Sequence, residues 1–240
     1  MRFSLIFFIA CCLSGLPSVA EEANPAPSST PPSAAAELPP ELQVLDQEAQ
    51  KQFNAGHYPD AEKIFREILA KAPNHLPTIL SLGVVLFRSQ QLKLAEEQFT
   101  KAIALAPDDA FSHTTLGIIH YTQGRYDDAV SDLKKAIDIS PKNATAHNYL
   151  GITASQRGWM DVARKELELA TNLDPNYADA HFNLAVLLAT TTPPDNASAL
   201  LHYHRALKLG APPDVALERL MKTSADGGAT KPPAPTGQSR

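Results

Sequence analysis

Apolar and small residues recur at helical spacing through most of the chain and are cut at regular intervals by glycine and proline. In "AFSHTTLGIIHYTQGRYDDAVSDLKKAIDISPKN", residues 110–143, Leu116, Gly117, Ile119 and His120 share one stripe and Gly124 breaks it. Tyr126, Ala129, Leu133, Ala136 and Ile137 then form a second stripe that stops at Pro141. Two helices joined by a short turn are the predicted elements. The layout returns every 34 residues: Pro73, Pro107, Pro141 and Pro175 keep that spacing, as do Ala61, Ala95, Ala129 and Ala163. A fixed period of this length is the mark of stacked repeats. The units fall at 42–75, 76–109, 110–143, 144–177 and 178–213.

Each recurring residue has a physical reason. Gly83, Gly117 and Gly151, with Ala49 and Ala185 in the two end units, remove bulk where the helices of a pair cross closely. Ala102, Ala136 and Ala170 do the same from the second helix. The proline ends that helix, because it lacks an N–H and clashes with the preceding turn. One pair cannot cover its own apolar face, so neighbouring pairs must stack.

The order Leu-Gly, Gly-x-Tyr-x-x-Ala, Ala, Pro, carried by Leu116, Gly117, Gly124, Tyr126, Ala129, Ala136 and Pro141, resembles the tetratricopeptide repeat family, over about 42–211. The resemblance implies an all-α fold: a right-handed α-solenoid of about five helix-turn-helix units. It also implies a concave face lined by the first helix of each pair, and a role as a docking surface for other proteins.

The ends depart from the pattern. Unit one has Glu48 and Ala49 in place of Leu-Gly, as suits an end unit with a wetter face. In unit five "TTTPPDNAS", residues 190–198, makes the turn two residues longer before Ala199, Tyr203 and Ala206 restore the register. Asp214 can cap a last helix over 214–222, with Val215, Leu217, Leu220 and Met221 as the apolar stripe of a lid. Before the repeats, residues 21–40 hold six prolines, no aromatic residue and few large apolar groups, so they read as an extended disordered spacer. Residues 223–240 have the same character and read as a disordered tail.

"MRFSLIFFIACCLSGLPSVA", residues 1–20, places Arg2 before an apolar run and closes on Ser18 and Ala20, the layout of a secretory signal cut near Ala20. The expected localisation is therefore exported, periplasmic or secreted. The run is shorter than the ~20 residues that span a bilayer, so no membrane span is expected. Acylation at Cys11 is the weaker reading, because Phe8 is a poor leading residue for it. Cys11 and Cys12 are the only cysteines, and the mature chain is left without a thiol. The whole chain has 21 basic and 26 acidic residues; losing Arg2 leaves 20 against 26, a formal charge of −6. With no basic stripe, nucleic acid is not an expected partner.

His113, His147 and His181 stand at the fourth place of three successive units. A metal ladder is the sharp reading. Equivalent residues of stacked helices lie roughly 10 Å apart, however, whereas zinc needs nitrogens near 2 Å from one centre. The favoured reading is that each imidazole fills a seam between helices and finds a local hydrogen-bond partner. Sequence motifs for a nucleophile, a phosphate loop or a zinc-dependent hydrolase are absent, so neither catalysis nor a cofactor is expected.

If the resemblance holds, places 2, 5, 9, 12 and 13 of each unit face the concave side. The candidate groove is then Phe53, Leu80, Val84, Phe87, Phe111, Ile118, Tyr121, Asn148, Ile152 and Asn183: apolar at the end made by units one to three, amide-bearing further along. Such a face marks a partner; the competing reading packs these groups against neighbouring helices or under the proline-rich spacer. The leading functional expectation is a non-catalytic envelope scaffold that binds a peptide segment or helix of a partner protein. The rivals are a metal-binding or enzymatic protein using the histidine row, and a self-associating structural subunit.

Overall fold

A computed structural model describes residues 37–226. The expected signal segment, the spacer up to residue 36 and the tail from residue 227 lie outside the described residues. Within them are eleven helices and no strand: α1 (Pro40–Asn54), α2 (Tyr58–Lys71), α3 (Leu76–Arg88), α4 (Leu92–Leu105), α5 (Ala110–Thr122), α6 (Tyr126–Ile139), α7 (Ala144–Gln156), α8 (Met160–Leu173), α9 (Ala178–Thr190), α10 (Asn196–Lys208) and α11 (Val215–Asp226). Each odd-numbered helix up to α9 pairs with its successor, and each pair packs on the first helix of the next. The result is an all-α solenoid.

The pairs close because their crossings have no room. A Cβ added at Gly117 would lie 2.6 Å from Leu133 Cγ, and one at Gly151 2.7 Å from Leu167 Cγ. Around these crossings Phe65, Phe99, Leu133, Leu167 and Tyr203 are enclosed by neighbouring helices. The turns inside the pairs use a residue in the left-handed region: Gly56, Gly124 and Gly158 in the first, third and fourth pairs, and Gln90, with φ 62°, in the second. The fifth turn runs over 191–195, where the others use three residues.

Both ends are closed. The chain enters α1 through Leu38, which is buried, while Gln43 Nε2 donates to the Leu38 carbonyl at 2.7 Å. Pro39 and Pro40 are tolerated there because the first helical N–H groups need no intrahelical acceptor. At the other end Asp214 Oδ1 accepts from the N–H groups of Ala216 and Leu217, starting α11. Leu217 and Met221 are buried beneath it, but Val215, assigned to the same stripe from the sequence, is 58% exposed. The helix also runs to Asp226, beyond the expected residue 222. The Tyr203 hydroxyl pins this lid, accepting from the Asp214 N–H at 2.7 Å and donating to Glu218 at 2.9 Å.

Candidate interaction face

First helices touch one another directly, α5 against α7 and α7 against α9, whereas contacts between second helices are weaker. Helices that approach more closely lie toward the inner side of a stack, which puts α5, α7 and α9 there. That closeness also decides which expected residues are available. Val84, Phe87, Ile118, Asn148 and Ile152 are only 2–7% exposed, enclosed within the stack. Their assignment to an open groove is corrected accordingly. Phe53, Leu80, Phe111, Tyr121 and Asn183 remain partly exposed, joined by Phe182 and Val186. Val186 stays open because only the lid lies beyond the last pair.

The open aromatic groups are held in place. Phe53 packs on Tyr58 with centroids 5.8 Å apart, Tyr121 lies 6.0 Å from Tyr149 edge to face, and Phe111 meets Phe99 at 6.0 Å. Toward the last pairs the face becomes polar, but the two asparagines of the candidate groove hold each other. Asn183 Nδ2 donates to Asn148 Oδ1 at 3.0 Å, and Asn148 Nδ2 donates to the Tyr177 hydroxyl at 3.3 Å. One helical turn before Asn183 sits Asp179, partly buried and, among the described residues, without a hydrogen bond or ion pair; burial pushes its carboxyl above the usual range. Asp46 on α1 is raised by burial too, with His75 working against the shift.

The histidine row has a different task. Nε2 of His113, His147 and His181 faces the carbonyl of Pro107, Pro141 and Pro175 at 3.1, 3.1 and 3.2 Å. A carbonyl only accepts, so in each ring Nε2 carries the hydrogen. These carbonyls end the preceding pair, where proline has stopped the helix, and the imidazole of the next pair satisfies them. Where the first repeat boundary has no such histidine, Lys101 Nζ donates to the Pro73 carbonyl at 2.6 Å.

The other ring nitrogen meets whatever stands at the twenty-third place of its own unit, allowing for the longer fifth turn. Nδ1 of His147 is 2.6 Å from Glu166 Oε2, Nδ1 of His181 is 2.9 Å from Nδ1 of His202, and Nδ1 of His113 is 3.9 Å from Asp132 Oδ1. Asp132 instead binds Nδ1 of His120 at 2.8 Å, whose Nε2 lies 3.3 Å from Glu96. The hydrogen bond to Glu166 holds the His147 pKa above its usual value against burial. For His120, burial works to lower the pKa, but the contacts with Asp132 and Glu96 outweigh it and the shift is upward. Sequence reasoning missed these partners. One signal was available: places 4 and 23 are both apolar in unit one (Leu45 and Ile64) and both polar in units three to five.

Among the described residues no group of three or more His, Cys, Asp or Glu side chains is arranged to hold a metal ion. No helix among them is long and apolar enough to cross a membrane.

A stack of paired helices, closed at both ends and open along its first helices, is a repeat scaffold. Family models agree: one described as "Tetratricopeptide repeat" matches residues 47–110 and one described as "TPR repeat" matches 119–158. Tetratricopeptide repeats are therefore present in this chain. Among similar solved structures is PilF of Pseudomonas aeruginosa, 22% identical over 78% of this chain and 86% of that one, with a TM-score of 0.67. MamA from Desulfovibrio magneticus RS-1 is 18% identical over 72% and 97%, with a TM-score of 0.63. YrrB, described as a TPR protein with an unusual peptide-binding site, is 20% identical over 75% and 90%, with a TM-score of 0.58. At these identities the likeness shows the fold. No curated protein matches the chain in sequence.

Proposed function

We propose that the protein is a non-catalytic scaffold of the cell envelope that holds an extended segment or helix of a partner protein against its first-helix face. The observation that carries this reading is the row of partly exposed apolar side chains along that face, Phe53, Leu80, Phe111, Tyr121, Phe182 and Val186, fixed by rigid neighbours. Anchors held rigid before binding lose little side-chain entropy on association. Beside the row stands the unpaired carboxylate of Asp179, which favours a partner that sets a basic group next to its apolar anchors. The signal-like first twenty residues support placement in the envelope, and a described peptide-binding site in YrrB supports the mode of use.

The test is capture of partners from an envelope extract by the mature chain, followed by their identification, in parallel with sedimentation of the chain alone at several concentrations. A distinct protein that binds one to one supports the reading. A mass that rises with concentration, with no foreign protein captured, replaces it with a self-associating subunit.

A further inference from the structure

The last helix pair differs from the others in how its imidazoles are paired. In α7 the Nδ1 of His147 faces a carboxylate, but in α9 the Nδ1 of His181 faces the Nδ1 of His202 on α10 at 2.9 Å, with the rings stacked at 5.2 Å and 27°. Because His181 donates its Nε2–H to the Pro175 carbonyl, the neutral ring has a lone pair at Nδ1, and His202 must supply the hydrogen between them. One further proton can be taken at Nε2 of His202 without disturbing that bond. A second puts a hydrogen on both Nδ1 atoms, and two cationic rings then face each other across a contact that no longer exists.

The surroundings set where this happens. His181 is faced by Arg205, which disfavours its charge, and by Asp174, which favours it; His202 is faced by His181, and by Glu168 and Asp195, which favour its charge. Arg205 is itself fixed, donating to the Pro175 carbonyl and to Asn176. Burial comes first among the causes for both imidazoles, and both are held below the usual 6.5. A histidine whose folded pKa is depressed contributes stability above its unfolded value and loses it as the pH falls. His120 and His147, shifted upward, behave in the opposite sense: their contribution is full in acid and lost as the pH rises. Acid therefore weakens the fifth pair while leaving the seams of the third and fourth intact.

We propose that α9 and α10, with the lid α11, form an acid-releasable end of the solenoid, opened by double protonation of the His181–His202 pair while α3–α8 stay packed. A stack in which each repeat touches only its neighbours permits this, since an end unit can open alone. Opening removes Phe182, Val186, Asp179 and Asn183 from the inner face, so acidification shortens the surface without unfolding the protein.

Hydrogen exchange read by mass spectrometry on the full chain tests the proposal, at about pH 7.5 and about pH 5, on either side of the ordinary imidazole value, with rates corrected for intrinsic exchange. The wild type is expected to lose about tenfold or more of the protection of 178–208 relative to 126–173 on going to acid, about 1.4 kcal/mol of local stability. His202→Gln keeps a side-chain N–H toward His181 but cannot take a proton, which leaves His181 alone to titrate, so its relative protection should fall on acidification by clearly less than the wild type's. A purely structural role for His202 would lower protection equally at both. Equal relative protection in the wild type at the two pH values, or the full wild-type pH difference retained in His202→Gln, overturns the proposal.

Discussion

The carbonyl oxygen of Pro141 accepts a hydrogen bond from Nε2 of His147 at 3.1 Å, so the residue that ends one helix pair is tied to the first helix of the next. On its other side the same ring meets Glu166 at 2.6 Å, which ties it to the second helix of its own pair. One buried imidazole thus joins three segments; around His181 the motif recurs with His202 as the third partner, while His113 keeps the proline contact and leaves its Nδ1 3.9 Å from Asp132 without a hydrogen bond.

Replacing His147 by Leu leaves the Pro141 carbonyl and the Glu166 carboxylate without this partner, at a cost of about 1–3 kcal/mol in urea denaturation. The effect has a sign in pH. Because the folded-state pKa of His147 is raised, chiefly by Glu166, the stabilisation is complete below the usual 6.5 and fades as the pH rises through the folded value. The gap between wild type and His147→Leu should be widest in mild acid; a gap that grows toward alkaline pH contradicts the pairing.

Gly117→Leu tests the crossing of α5 and α6. Even a Cβ there would fall 2.6 Å from Leu133 Cγ and 3.3 Å from the Ala129 carbonyl, which is backbone and cannot step aside. Overpacking of about 1–3 kcal/mol or more is expected as a lowered melting temperature. An unchanged melting temperature would place the two helices in a different register.

Gln90→Gly should stabilise. Gln90 sits at φ 62° in a turn position where three other pairs use glycine, and its side chain pays for that backbone with strain. Relief is expected to raise stability by about 0.5–1 kcal/mol, after allowing for the greater freedom glycine has in the unfolded chain. The opposite change, Gly124→Ala at φ 75°, should destabilise by a similar amount; both are read by thermal melting.

Tyr203→Phe removes the hydroxyl that links Asp214 and Glu218 to α10. A loss of about 1–2 kcal/mol is expected. It should appear first as faster exchange of amides in α11, before any change in α3–α8. Uniform loss across the chain would mean that the lid and the stack unfold as one unit.

The helix pairs were legible in the sequence because their determinants are local and repeated. Gly117 is small for one neighbour, Leu133, and Pro141 stops one helix, and each lesson is written again 34 residues away. The inner face was only half legible. Whether Ile152 lines a groove or fills a seam depends on how closely α7 approaches its neighbours, and no single repeat encodes that distance. Ile152 turned out buried and Tyr121 open, although both stood at places assigned to the same face. Asn148 and Asn183 show the same gap: spacing put both on the face, but their bond to each other joins different repeats. The partners of the histidine row escaped because they vary from Asp132 to Glu166 to His202, so the period that exposed the imidazoles hides what they meet.

The central claim is that a partner is anchored by the open apolar groups of the first helices. Its most direct test is the affinity of a captured envelope partner for the wild type, for Tyr121→Ala and for Leu201→Ala, the last being 69% exposed on second helix α10. Each variant is first checked for an unchanged circular dichroism melt. Tyr121→Ala should weaken binding by about 1–4 kcal/mol if the ring is an anchor, and Leu201→Ala should leave it unchanged. A folded Tyr121→Ala with full affinity, or a loss confined to Leu201→Ala, would move the binding surface to the second helices and contradict the account.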